Sequence, residues 1–255
     1  MKKNIIKASG IISFALAFSA VTVYAVSEVK SIKSVKNEFY PAHIEIAVQE
    51  NNNKNTESAP AKTNLSWDKA DDGSSYTAIK EVKILNNSNS SNPAPAFIRV
   101  CLVPHWTMTL DGKEIDVTNT SYISEMGSFK KEIAGNSYTM GEVTFYLDEK
   151  WSENWIYNGD GYFYCRQSVD AGESTPLLLK SVSITAEAYS NIPADVTLEV
   201  DVLADSIQTE GQDAGETNAL AELWGTPEVL GIQVADNDGI PTLEEYKSGG
   251  DINGQ

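Results

Sequence analysis

The chain has 255 residues, 41% hydrophobic and 22% charged, with 19 Lys and Arg against 36 Asp and Glu and a formal net charge of −17. That length holds one large all-β domain or two small domains, with enough apolar residues for a real core. The acidic excess repels nucleic-acid phosphates and anionic lipid headgroups, and two cysteines and two histidines are too few for a disulfide scaffold or an extensive metal or catalytic array.

Residues 1–25 read as an export signal. Met1 to Lys7 is a basic head, Ala8 to Tyr24 is uncharged and apolar, and Val23-Tyr24-Ala25 suits a signal peptidase cutting between Ala25 and Val26. The apolar stretch is barely long enough to span a bilayer and is interrupted by Ser9, Gly10, Ser13 and Ser19, which favours cleavage over an anchor. Loss of Lys2, Lys3 and Lys7 takes the 19 basic groups to 16 and the net charge from −17 to −20. Residues 26–39 then form an N-terminal arm. Val29, Ile32 and Val35 recur every third position, beside Lys30, Lys33 and Lys36, and the arm closes on Phe39. This is the one strongly basic stretch of the exported chain.

Period-two alternation dominates residues 40–225, the expected β-sandwich domain. Ile44, Ile46 and Val48 alternate with Glu45 and Ala47. Tyr76 to Leu85 and Ala96 to Val103 are further strands, the latter apolar on both faces except at Arg99. Trp106 to Leu110 meets Asp111-Gly112, a type I′ hairpin signal, and returns through Ile115 and Val117. Val143, Phe145 and Leu147 mark another strand. Trp155-Ile156-Tyr157 and Tyr162-Phe163-Tyr164 flank Asn158-Gly159-Asp160-Gly161 as a second hairpin, and Leu177 to Ile184 and Val196 to Val202 follow. Asn51–Asn64 and Asn86–Pro95 have the composition of surface loops. Eight to ten short strands separated by polar turns predict an all-β, jelly-roll-like sandwich. Asn218 to Trp224 predicts a turn or two of helix, and residues 226–255 predict a loose acidic tail.

Few residues invite chemistry. Cys101 and Cys165 both sit in predicted strands, and two readings stand open: a disulfide permitted by export, or two buried thiols. Trp155, Tyr157 and Tyr162 could stack on sugar rings or pack against neighbouring strands. His43 and His105 lack metal-site spacing. Asp236 and Asp238, with the following Gly239 and Glu245, resemble most of a calcium loop, although Val234 offers no side-chain oxygen at its first position. Calcium is the single cofactor the sequence raises. No nucleophile elbow, P-loop or dinucleotide fingerprint appears, so a secreted hydrolase is the weakest of the functional classes.

The ordered set of segments resembles a known group. After the signal come Asn37-Glu38-Phe39 and His43-Ile44-Glu45-Ile46-Ala47-Val48, then Lys80-Glu81-Val82-Lys83-Ile84-Leu85-Asn86-Asn87 and Ala96-Phe97-Ile98-Arg99-Val100. The aromatic hairpin, Asp170-Ala171-Gly172-Glu173-Ser174-Thr175-Pro176-Leu177, Thr197-Leu198-Glu199-Val200, Ala204-Asp205-Ser206-Ile207-Gln208 and Leu223-Trp224-Gly225 follow. Over about residues 1–225 this is similar to the TasA/camelysin-type biofilm matrix proteins of Gram-positive bacteria, exported through a SipW-like signal peptidase. Tyr40-Pro41-Ala42 stands where relatives usually carry a Gly, and the chain from Thr226 onward has no counterpart in the group.

The resemblance implies a secreted, non-enzymatic subunit of extracellular matrix fibres. Its freed N-terminal segment would complete the sheet of the next copy by donor-strand exchange. It also implies partners among other matrix proteins or polysaccharide. The competing expectation is a monomeric cell-surface module that binds polysaccharide through the aromatic hairpin.

Overall fold

The computed structural model describes residues 44–51, 53–55, 65–88, 93–118, 131–193, 195–209, 219–237 and 239–247. The signal segment with its Ala25–Val26 junction, the arm and His43 lie outside the described residues. Alternating apolar residues give strands that pair antiparallel throughout. One sheet takes β1 (Ile46–Glu50), β2 (Asn53–Asn55), β3 (Asp68–Lys69), β4 (Ser75–Asn86), β7 (Lys131–Ala134), β8 (Ser137–Met140), β9 (Val143–Leu147) and β12 (Leu179–Thr185). Its order is β2-β1-β4-β12-β9-β8-β7, with β3 beside the first half of β4. The second sheet takes β5 (Ala96–Leu110), β6 (Lys113–Asp116), β10 (Trp155–Tyr157), β11 (Tyr162–Cys165) and β13 (Val196–Gln208) in the order β10-β11-β5-β13, β6 lying beside the end of β5.

The two sheets share one core, because every second residue of each faces the other. Val82 and Ile84 of β4, Phe145 and Leu147 of β9 and Val182 of β12 meet Ile98, Val100, Leu102 and Trp106 of β5 and Leu198, Val200 and Val202 of β13. Pro104 is tolerated inside the long strand β5. The N–H and C=O of Trp106 face the β6 side, where they bond to Thr118 and Val117, so the Pro104 nitrogen points the same way. There it falls in the gap between β11 and β6 and costs no ladder bond. The Asp111-Gly112 turn is left-handed at both residues, with φ of 51° and 73°, as a type I′ hairpin requires.

A polar residue also enters this apolar layer. Lys80 alternates with Ala78 and Val82 on the core side of β4 and is fully buried, and its Nζ donates to Glu50 Oε1 at 2.6 Å. Lysine and glutamate this deep persist only as a pair.

The C-terminal stretch departs from the expected loose tail. α3 (Ala219–Leu223), α4 (Pro227–Leu230), β14 (Ile232–Asn237) and β15 (Ile240–Glu245) form a folded module, the last two as an antiparallel hairpin. Two further short helices, α1 (Trp151–Asn154) and α2 (Ala186–Asn191), lead into β10 and out of β12. The reason for the departure is a second apolar cluster on the outer face of the β5 sheet. Phe97, Ile156, Tyr164 and Ile207 are buried there beneath Leu220, Trp224, Leu230, Ile232 and Leu243. Leu243 N–H donates to Arg166 O, the Asn158 amide donates to Leu230 O, and Arg166 is paired with Glu245. Among the described residues no helix is long and apolar enough to cross a membrane.

Candidate assembly edge

Strand β13 is 13 residues long, pairs with β5 along its whole length and closes its sheet. Thr209 N–H donates to Pro95 O, so odd-numbered residues of β13 turn their backbone groups toward β5. The facing pair Leu198–Trp106 agrees, since Trp106 turns its own groups to the other side. The N–H and C=O groups of Leu198, Val200, Val202 and Ala204 therefore point to the free edge, where no described residue pairs with them. Nearer the strand's end, Ser206 N–H is satisfied locally by Asp205 Oδ1 at 2.8 Å. The other outermost strands, β2, β7 and β10, have three, four and three residues. A long edge with open backbone groups is the feature that recruits another strand.

Side chains along this edge sort cleanly. Val196, Leu198, Val200 and Val202 point inward and are buried, whereas Glu199, Asp201, Leu203 and Asp205 point outward. Across the sandwich from β13 lies β1. Its Ile46 and Val48, with Ile44 just before it, pack on the core yet stay half-buried. At the Val196 end a pocket of about 330 Å³ opens, lined by Leu65, Trp67, Tyr189, Ile192, Pro193, Val196, Thr197 and Leu198, its open surface a mixture of polar and apolar atoms. Tyr189 stacks on Tyr76 at 3.9 Å between ring centroids and meets Trp67 edge-on, so the pocket wall is set by packed aromatics.

The outer face of β13 is acidic and partly paired. His105 of β5 lies between Glu199 and Asp201, its Nε2 at 3.3 Å from one carboxylate and its Nδ1 at 3.1 Å from the other. Asp116 on β6 is held below the usual carboxylate range by the hydroxyl and backbone N–H of Thr118. Further along, Arg99 pairs with Asp205 at 3.0 Å and stacks between Tyr162 and Trp224, 4.3 and 4.7 Å from their ring centroids. Trp224 Nε1 donates to the same Asp205 carboxylate at 2.9 Å.

The other sequence candidates do not assemble into sites. Trp155 and Tyr157 face the core, where Tyr157 lies 4.8 Å from Phe163 and 5.3 Å from Tyr138, and Tyr162 is held under Arg99. The two faces of the hairpin are thus spent on the two apolar clusters, and the sugar-stacking platform is replaced by packing. Cys101 and Cys165 are free thiols. Cys165 lies on the core face with Phe163 and Trp155, while Cys101 opposes Tyr162 and faces outward, so the pleat keeps the two on opposite sides of one sheet. Burial pushes the Cys165 thiol up to about 12.

The calcium reading fails on geometry. Asp236 faces Pro241 near the hairpin turn and Glu245 faces Ile232 at its open end, so the expected ligands stand a strand's length apart. Asp236 is bonded to Gly239 N–H, Glu245 is paired with Arg166, and Asp238 lies outside the described residues. Among the described residues no three His, Cys, Asp or Glu side chains are grouped to hold a metal.

Sequence reasoning missed the pocket, because its lining comes from three segments, around residues 65–67, 189–193 and 196–198. Trp67 and Tyr189, isolated aromatics beside predicted strands, were the available signal. A comparison with known protein families, curated proteins and solved structures finds no match.

Proposed function

We propose that the protein is a secreted, non-catalytic subunit of extracellular matrix fibres, built on a jelly-roll-like sandwich. In this reading the arm at 26–39 of one copy adds to β13 of the next, after removal of the leader between Ala25 and Val26 by a SipW-like signal peptidase. The observation that carries it is the open edge of β13. Four residues there offer backbone donors and acceptors to no described partner, opposite the half-buried Ile46 and Val48 of β1. Charge adds to the fit. An incoming strand that turns Val29 and Val35 toward the core side would point Lys30 and Lys36 outward, to the face that carries Glu199, Asp201 and Asp205. Other matrix proteins or polysaccharide would bind the finished fibre rather than the hairpin aromatics, which are occupied in packing.

Electron microscopy of purified protein beginning at Val26 tests the reading. Filaments should form over a range of concentrations and vanish when residues 26–39 are deleted. Single particles at every concentration, or filaments unaffected by the deletion, would overturn it.

A further inference from the structure

The turn between β10 and β11, Asn158-Gly159-Asp160-Gly161, is pinned from within and from without. Inside it, Asp160 accepts hydrogen bonds from Tyr162 N–H at 2.8 Å and from the Tyr164 hydroxyl at 2.5 Å. Outside it, the Asn158 side-chain amide donates to the carbonyl oxygen of Leu230, the last residue of α4. Asn158 atoms also stand 2.6 Å from where a Cβ would be on Gly231, the residue that ends that helix. This clasp ties the turn to the C-terminal module, which covers the apolar patch of Phe97, Ile156, Tyr164 and Ile207.

Asn158 is followed by glycine, whose backbone nitrogen attacks a preceding asparagine side chain with the least obstruction, because glycine has no Cβ and turns freely. In that reaction Gly159 N bonds to Asn158 Cγ and the Cγ–Nδ2 bond breaks. The Gly159 amide proton leaves with Nδ2 as ammonia, and a succinimide ring closes. Water then opens the ring at either carbonyl, giving aspartate or isoaspartate. One water enters and one ammonia departs, a gain of about 1 Da. Asn158 and Gly159 are both exposed, so water reaches the ring.

The product undoes the clasp. An amide donates to the Leu230 carbonyl, whereas a carboxylate only accepts, so oxygens would oppose each other across the contact. Isoaspartate also lengthens the main chain of the turn by one atom. While the module is docked, the bond to Leu230 O holds the amide in place and restrains ring closure. Local opening of the module lifts that restraint, and conversion then disfavours its return.

We propose that Asn158-Gly159 is a self-modification site, and that its conversion to aspartate or isoaspartate loosens the C-terminal module over the outer apolar patch. The inference stands apart from the fibre reading, since it concerns a single copy of the chain.

The test ages the purified protein in mildly alkaline buffer and follows two readouts. Peptide mass mapping with isoaspartyl methyltransferase labelling reports conversion, and limited proteolysis reports the module. The second Asn-Gly pair of the sequence, Asn253-Gly254, marks the pace of the reaction elsewhere in the chain. The Asn158 peptide should gain the expected mass more slowly than the Asn253 peptide, and Gly231→Ala, which loosens the module, should raise its rate about fivefold. Aged protein and fresh Asn158→Asp should both be cleaved between residues 226 and 247 at about a fivefold lower protease concentration than fresh unaltered protein. Aged unaltered protein supplies the measurement if a variant fails to fold. Asn158 left unconverted in both the unaltered protein and Gly231→Ala, once Asn253 has reacted to completion, overturns the site. Equal rates in those two proteins, or full conversion with cleavage no different from fresh protein, overturns its coupling to the module.

Discussion

The Lys80–Glu50 pair concentrates the cost of this core at two residues. Truncating one partner strands the other as a buried charge, so Glu50→Ala should cost about 3–5 kcal/mol in urea unfolding. Replacing both residues by methionine should be close to neutral, because the desolvation penalty disappears with the attraction. The cysteines give a second residue-scale prediction. Iodoacetamide should label Cys101 in the folded protein and reach Cys165 only on unfolding, since burial both shields that thiol and disfavours its thiolate. Peptide mass mapping that found a Cys101–Cys165 bridge, or Cys165 labelled first, would contradict the assigned faces. Neither feature was legible from the sequence. Lys80 reads as an ordinary surface lysine until its parity with Ala78 and Val82 is tied to a particular sheet face, and two strand cysteines carry no sign of register.

Among the elements, the hairpins were the most legible and the C-terminal module the least. Asp111-Gly112 announces its turn by local chemistry alone, and the alternation of β4, β9 and β13 declares their inner faces. By contrast, Leu220, Trp224, Leu230, Ile232 and Leu243 are scattered over two short helices and a hairpin. They cohere only because Phe97, Tyr164 and Ile207 offer an apolar patch on a face that alternation assigns to solvent. Gly231 sits at the tightest point of this module, with φ of 64° and Asn158 side-chain atoms 2.6 Å from where a Cβ would stand. Gly231→Ala should therefore destabilise the module, seen as proteolytic cleavage between residues 226 and 247 at lower protease concentration.

The module should also loosen in acid. Its Glu245 carboxyl is held below the usual value by hydrogen bonding from Arg166. The stabilisation is fully present above the ordinary glutamate value and is lost as pH falls through the lowered one. The Leu243 amide resonance should shift over that window, and Arg166→Ala should remove the dependence.

At the scale of the whole molecule, composition and period-two patterning reach an all-β fold of antiparallel sheets, and the structure agrees. Strand order was out of reach because it depends on long-range pairing, such as β12 between β4 and β9, that no local residue records. The candidate edge follows from that order, since among the described end strands β13 is set apart by its length, with a neighbour on one side only. The fibre account therefore stands on a single physical claim, that a second copy completes this sheet. Amide hydrogen exchange read residue by residue in monomer and polymer tests it most directly. The amides of Leu198, Val200, Val202 and Ala204 should exchange freely in the monomer and become strongly protected on assembly. Protection that appears at β2, β7 or β10 instead, with those four amides still exchanging freely in the polymer, would contradict it.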